Sequence, residues 1–103
     1  MRNEGAIRNL AVDDVVEIPA RIDREGAHPL SLAPLPPEML GLVQHAKAYE
    51  RLAIAAAVTG DRRTALRALL TNPLGPDADR APDLLDALLE ENRAHLPRFF
   101  PAG

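Results

Sequence analysis

Three histidines and two closely spaced aspartates are the residues of this sequence that could bind a metal ion. His28, His45 and His95 fall on a predicted hairpin and two separate predicted helices, without the paired spacing of a ligand motif. Each is therefore expected to be structural or solvated. Asp77 and Asp79 begin like a calcium-binding loop, but the glycine and the bidentate glutamate of such a loop do not follow. Asp79 is interpreted as a helix cap, and no metal site is predicted.

Acid–base or nucleophilic chemistry has little support in the residue spacing. Asp13, Asp14 and Glu17 place three carboxylates close together, but an extended strand directs Glu17 to the opposite face from Asp14. Ser31 is the only serine, and no acid–base partner lies at a suggestive spacing from it. The sequence has no cysteine, which excludes a thiolate nucleophile, a thiolate metal site and a disulfide. The residues by themselves thus indicate no catalytic site.

The glycines do not form a phosphate-binding or dinucleotide-binding turn. Residues 59–62 contain one glycine and join two predicted helices rather than following a strand. Residues 3–7 lack the glycine spacing of a dinucleotide-binding turn. No cofactor-binding residue is therefore predicted in this chain.

Length and composition describe a small acidic domain. The 103 residues predict a single domain, and 47% hydrophobic with 26% charged residues is typical of a folded globular protein. The net charge is −3 and the sequence has no basic stripe, so nucleic acid is not an expected partner. The longest apolar run, Leu52–Val58, is too short to cross a bilayer, and no apolar signal region follows the N-terminus. We expect a cytoplasmic protein with no membrane partner.

The hydrophobic pattern predicts an α+β fold, with a short N-terminal β-hairpin followed by about three α-helices. Residues 1–33 have an extended or hairpin pattern, and residues 37–97 have a helical one. Alternation over residues 15–22 predicts a strand that buries Val16, Ile18, Ala20 and Ile22. Residues 23–26 supply a turn, and residues 27–30 are expected to return as a second strand.

Prolines, glycines and caps predict the helix boundaries. A long helix is expected from about Pro37 to a stop at Gly60. Asp61 is a natural cap for a second helix over residues 62–70. A third helix is expected over residues 80–95, capped by Asp79. Its apolar stripe consists of Leu84, Leu85, Leu88 and Leu89.

Several blocks of the sequence occur in a recognisable order. They are residues 3–10, 13–20, 26–30, 35–37, 47–52 and 59–61, then the apolar positions of 65–70, and finally residues 72–74. Their order and spacing resemble the C-terminal region of glycoside hydrolase family 4, in its 6-phospho-β-glucosidase branch. The blocks cover nearly the whole chain. Ala11 and Val12 depart from the pattern, because the family usually has a proline there.

The resemblance implies an enzyme that depends on NAD and a divalent metal, typically manganese, and acts on phosphorylated or uronic-acid glycosides. Such enzymes oxidise the sugar C3 hydroxyl, remove the C2 proton and eliminate the aglycone before water adds. In the family, NAD is held by an N-terminal Rossmann domain. A cysteine and a histidine of the central region hold the metal, and the proposed tyrosine base also lies upstream. The present chain matches the C-terminal piece of the substrate domain, so none of these elements is expected in it.

Asn3, Gly5 and Asn9 are the residues for which the resemblance suggests a site. In the whole enzyme their loop is expected to help close the sugar-phosphate or nicotinamide pocket. Turn chemistry is the alternative, because asparagine and glycine favour tight turns through local hydrogen bonds and positive φ. The sequence alone leaves both interpretations open.

Two functional hypotheses follow from the sequence and the resemblance. The leading hypothesis is a structural and assembly portion of the glycosidase that is not catalytic alone. Because loss of the remaining enzyme uncovers apolar surface, such a piece is expected to form a homo-oligomer or to bind the remainder of the glycosidase. The alternative is an autonomous binding or regulatory module derived from that segment.

Overall fold

The computed structural model describes residues 1–102 and has an α+β architecture, as predicted. Its elements are β1 (Ala20–Asp23), β2 (Gly26–Pro29), α1 (Pro37–Thr59), α2 (Arg62–Thr71) and α3 (Ala81–Glu91). Two short 3₁₀ helices, Arg93–His95 and Pro97–Phe99, follow α3. The chain divides into two compact units, residues 1–44 and residues 45 to the C-terminus. We call them the N-terminal unit and the C-terminal unit. No helix among the described residues is long and apolar enough to span a membrane.

The hairpin forms as predicted, but its first strand begins later than the alternation suggested. Ala20 pairs with Pro29 and Asp23 with Gly26. The expected strand over residues 15–19 is wrong, and there only Val15 pairs, through an isolated bridge with Arg2. Pro19 explains the boundary, because its carbonyl accepts from the Leu30 amide at 3.0 Å but its own nitrogen has no hydrogen to donate.

The predicted buried face of the hairpin is also partly wrong. Val16 is buried, but Ile22 is 71% exposed. The sheet of the described residues has two strands, which leaves its faces largely without an apolar layer. The period-two pattern predicted strand structure correctly only at residues 20–22, and the apolar layer that the pattern anticipates does not cover Ile22.

Helix α1 and the start of α2 follow the predicted signals. Helix α1 runs for 23 residues from Pro37 to Thr59 and stops at Gly60, which has φ +72° and donates its amide to Ala56 O at 2.8 Å. Asp61 caps α2 by accepting from the Thr64 amide at 2.9 Å. Hydrogen bonds from Thr64 hold the pKa of the Asp61 carboxyl below its ordinary value.

Helix α3 differs from the prediction at both ends. Asp79 is not its cap; Asp77 instead accepts from the Arg80 amide with its side chain and from the Ala81 amide with its carbonyl, both at 3.0 Å. The helix ends at Glu91 rather than near residue 95. The Asn92 side chain donates to Leu88 O at 2.8 Å, a local bond that competes with continuation of the helix.

The apolar residues that are buried in the C-terminal unit are alanines and leucines. Ala56, Ala68, Ala81, Leu85 and Leu89 are buried and come from all three helices. Only half of the stripe predicted for α3 is buried, since its other two leucines are about 40% exposed. The packed face of α3 is therefore narrower than the sequence pattern suggested.

Candidate functional site

The N-terminal loop that contains the predicted site residues is folded back on itself by backbone hydrogen bonds. Met1 exchanges two bonds with Val16, at 3.1 and 2.8 Å. The Asn3 amide donates to Asp14 O at 2.7 Å, and the Glu4 amide donates to Val12 O at 2.9 Å. These bonds bring residues 1–4 alongside residues 12–16 and make residues 5–11 the tip of a closed loop.

Asn3 holds this loop from the inside. Its side chain is fully buried, and its Oδ1 accepts from the Ile7 amide at 2.7 Å. Its Nδ2 donates to the carbonyls of Ile7, Leu10 and Ala11 at 3.0, 3.4 and 3.1 Å. Both ends of the amide group therefore bond to the loop backbone. The contacts of Asn3 are those expected of turn chemistry, and its role beside a pocket of the whole enzyme stays a prediction.

Gly5 and Asn9 lie on the exposed side of the same loop. Both have positive φ, +87° and +67°, which matches the turn chemistry expected of these residue types. The Asn9 carbonyl accepts from the Gln44 side chain at 3.1 Å and so attaches the loop to the start of α1. The structure thus brings the three predicted residues into one loop, with Asn3 inside and the other two at the surface.

A second group of polar residues meets at the hairpin turn. Ligand atoms of Asp23, Glu25 and His28 lie within 4.8 Å of one another. His28 Nε2 is 2.9 Å from Asp23 Oδ1, which also accepts from the Glu25 amide at 2.9 Å, while Arg21 is 3.3 Å from the other oxygen. The acceptor atoms of Asp23 are already engaged, so the group stabilises the turn. We did not predict this group, because each histidine was considered separately. The register of the hairpin indicates it, since antiparallel pairing brings residue 28 back toward residue 23.

The other two histidines belong to the C-terminal unit. His45 Nε2 is 2.6 Å from Thr71 O, so the ring donates to the last turn of α2. His95 is exposed in the first 3₁₀ helix, and its backbone amide donates to Asn92 O at 2.8 Å. His45 therefore has the structural role expected from the sequence.

Comparison with known sequences assigns the chain to a family. Residues 1–75 match the profile described as the family 4 glycosyl hydrolase C-terminal domain. The chain belongs to glycoside hydrolase family 4. The family 4 segment is 44% identical over 98 residues to a probable 6-phospho-β-glucosidase of Bacillus subtilis. It is 36% identical over 93 residues to a phospho-α-glucosidase of Clostridium acetobutylicum.

Solved structures of larger enzymes contain a segment with a similar backbone. The 6-phospho-β-glucosidase of Thermotoga maritima, solved with NAD and glucose 6-phosphate, is 42% identical with a TM-score of 0.84. A 6-phospho-α-glucosidase from gut microorganisms, solved with NAD and Mn²⁺, is 32% identical with a TM-score of 0.88. These matches cover 92% and 94% of the family 4 segment but 23% and 22% of the enzymes. The segment therefore spans less than a quarter of the length of the relatives that it matches.

Proposed function

We propose that this chain is the C-terminal structural portion of a 6-phospho-β-glucosidase-like glycoside hydrolase and is not catalytic alone. The observation that carries the proposal is the difference in coverage. The Bacillus subtilis relative matches 95% of the chain, yet the match occupies 22% of that relative. The polar groups of the described residues fit this role, because the Asn3 amide and the Asp23 carboxylate are bonded within the chain itself.

The substrate class that we propose for the whole enzyme is a 6-phospho-glycoside with a β linkage. Two β-acting relatives are 44% and 42% identical to the chain, whereas the phospho-α-glucosidase of Clostridium acetobutylicum is 36% identical. Backbone similarity does not favour the β linkage, since the TM-score is 0.84 for a β-acting enzyme and 0.88 for an α-acting one. The preference for the β linkage therefore depends on sequence identity alone.

NAD and manganese are the cofactors proposed for the whole enzyme, but the residues present here do not fit either group. The turn at Gly60 joins two helices, and a Cβ there would lie 2.1 Å from Arg98 O, so backbone fills the space where a phosphate would approach. The group at the hairpin turn is poorly suited to a cation, because an arginine lies 3.3 Å from Asp23. We assign no reaction step to this chain.

The partner that we propose is the remainder of the glycosidase, with a homo-oligomer as the second possibility. Each unit has large apolar side chains in solvent. Leu42 of the N-terminal unit is 63% exposed, and Ile54 and Leu74 of the C-terminal unit are 64% and 96% exposed. Burial of such side chains is favourable by about 1.5–3 kcal/mol each. A cytoplasmic location remains part of this proposal, together with the absence of a nucleic-acid or membrane partner.

Direct titration of the chain tests whether it is inactive alone. We expect no heat of binding when NAD, Mn²⁺ or glucose 6-phosphate is titrated into the chain. We also expect no hydrolysis of a 6-phospho-β-glucoside in the presence of NAD and Mn²⁺. The Thermotoga maritima enzyme, titrated and assayed in parallel, is the positive control. Sedimentation of the same samples should show self-association that increases with concentration. Saturable binding of NAD by a stable monomer would instead support the autonomous binding module.

A further inference from the structure

The C-terminal tail, residues 96–100, lies across the junction between α1 and α2. Helix α1 leaves backbone carbonyls without helical partners at its end, as every helix does. One of these, Val58 O, accepts from Arg98 Nη1 at 2.6 Å, although the two residues are 40 positions apart. A cation at this end of a helix also interacts favourably with the helix dipole. Arg98 therefore acts as a long-range cap of α1.

The backbone of the tail fits against Gly60 because Gly60 has no side chain. A Cβ built there would lie 2.1 Å from Arg98 O and 2.5 Å from Arg98 C. Such distances are far inside van der Waals contact, so any other residue would displace the tail. Gly60 thus ends α1 with a positive φ and also leaves room for the backbone of the tail to pack against it.

The tail also contributes to an apolar groove of the C-terminal unit. This groove, of about 210 Å³, is lined by residues of all three helices, including Ala56, Ala68 and Leu85, and by Phe99 of the tail. The next residue, Phe100, lies under the Arg93 guanidinium at 3.9 Å from the ring centroid. The tail therefore contacts both the 3₁₀ helix that precedes it, through Arg93, and the groove, through Phe99.

No residue of the tail is fully buried, and Leu96, Phe99 and Phe100 are half-buried. Its segment is 3₁₀-helical, with i to i+3 bonds of 3.1 and 3.2 Å, and Arg98 is exposed. Segments with few buried contacts open with much smaller free energies than the whole fold. We infer that residues 96–100 form a detachable clasp, which covers part of the apolar groove when docked and exposes it when released. This inference goes beyond the proposed function, because the clasp acts within this chain.

Hydrogen exchange on the full chain tests the clasp, with Arg98→Ala as the variant and Arg67→Ala as the control at an exposed arginine of α2. Loss of the Arg98 bond should raise amide exchange in residues 96–100 about tenfold, the factor for one charged hydrogen bond. Binding of a hydrophobic dye should rise with it, while exchange within α1 and α3 stays as in the parent chain. The control should change neither readout.

Deletion of residues 97–103 is the second variant and makes the test independent of one side chain. We expect higher dye binding with the helical circular dichroism retained. If Arg98→Ala leaves both tail exchange and dye binding unchanged, the clasp is not held as inferred. If either variant loses its helical signal, the tail is part of the cooperative core and is not detachable. Both of these results would overturn the inference.

Discussion

Replacing Asn3 by alanine is expected to lower the free energy of unfolding by roughly 3–4 kcal/mol. The side chain is fully buried, and its removal takes away the Asn3 partner of the Ile7 amide and of the Ile7 carbonyl. Each buried group left unpaired costs about 1–3 kcal/mol, and alanine is too small to exclude water from the space. Urea denaturation followed by circular dichroism measures the change.

Asn9→Gly is the matched control in the same loop. Asn9 is exposed with φ +67°, a conformation that glycine adopts freely, so this change should be close to neutral. The comparison tests the turn interpretation of the loop asparagines. Equal and small effects of both substitutions would contradict the structural role assigned to Asn3.

Replacing Gly60 by alanine is the second large effect that we expect, at about 2–4 kcal/mol of destabilisation. Two costs combine at this position. An alanine would have to adopt φ +72°, and its Cβ would meet Arg98 O at 2.1 Å. Relief of the clash requires the tail to move away, so the hydrogen bond from Arg98 to Val58 O is lost as well. Thermal denaturation should show a lower Tm together with faster proteolysis of the tail.

Gly41→Ala is the control for this substitution. Gly41 lies inside α1 without positive φ, and a Cβ there meets nothing within 4 Å. Alanine in an exposed helix position is more favourable than glycine by about 0.5–1 kcal/mol, so the control should raise the Tm. If Gly60→Ala behaves like Gly41→Ala, the tail does not pack against the junction as described.

Sequence reasoning succeeded where one local signal decides the structure. Pro37, Gly60 and Asp61 set the bounds of α1 and the start of α2, and each acts through its own backbone or through a neighbour a few residues away. The hairpin turn followed from the same kind of local chemistry. The family assignment also came from the sequence, because the order of many short blocks is more specific than any single block.

Sequence reasoning failed where contacts between residues far apart in the sequence determine the structure. The exposure of Ile22 and the half-buried stripe of α3 depend on which surfaces find partners, and an alternating or helical pattern does not specify the partner. The cap of α3 was assigned to Asp79, whereas Arg80 stands at the cap position without a side-chain cap bond and Asp77 accepts from its amide. The inward direction of the Asn3 side chain likewise depends on three carbonyls that only the folded loop brings together.

The role proposed for this chain is to supply the C-terminal portion of a family 4 glycosidase fold. Its most direct test is complementation of a Thermotoga maritima 6-phospho-β-glucosidase from which the matching 23% has been removed. We expect that neither piece hydrolyses a 6-phospho-β-glucoside alone, and that mixing them with NAD and Mn²⁺ restores activity together with a stable complex. The family 4 enzyme's own C-terminal piece, added in the same way, is the positive control. Restoration by that piece but neither binding nor activity with the present chain would contradict the claim.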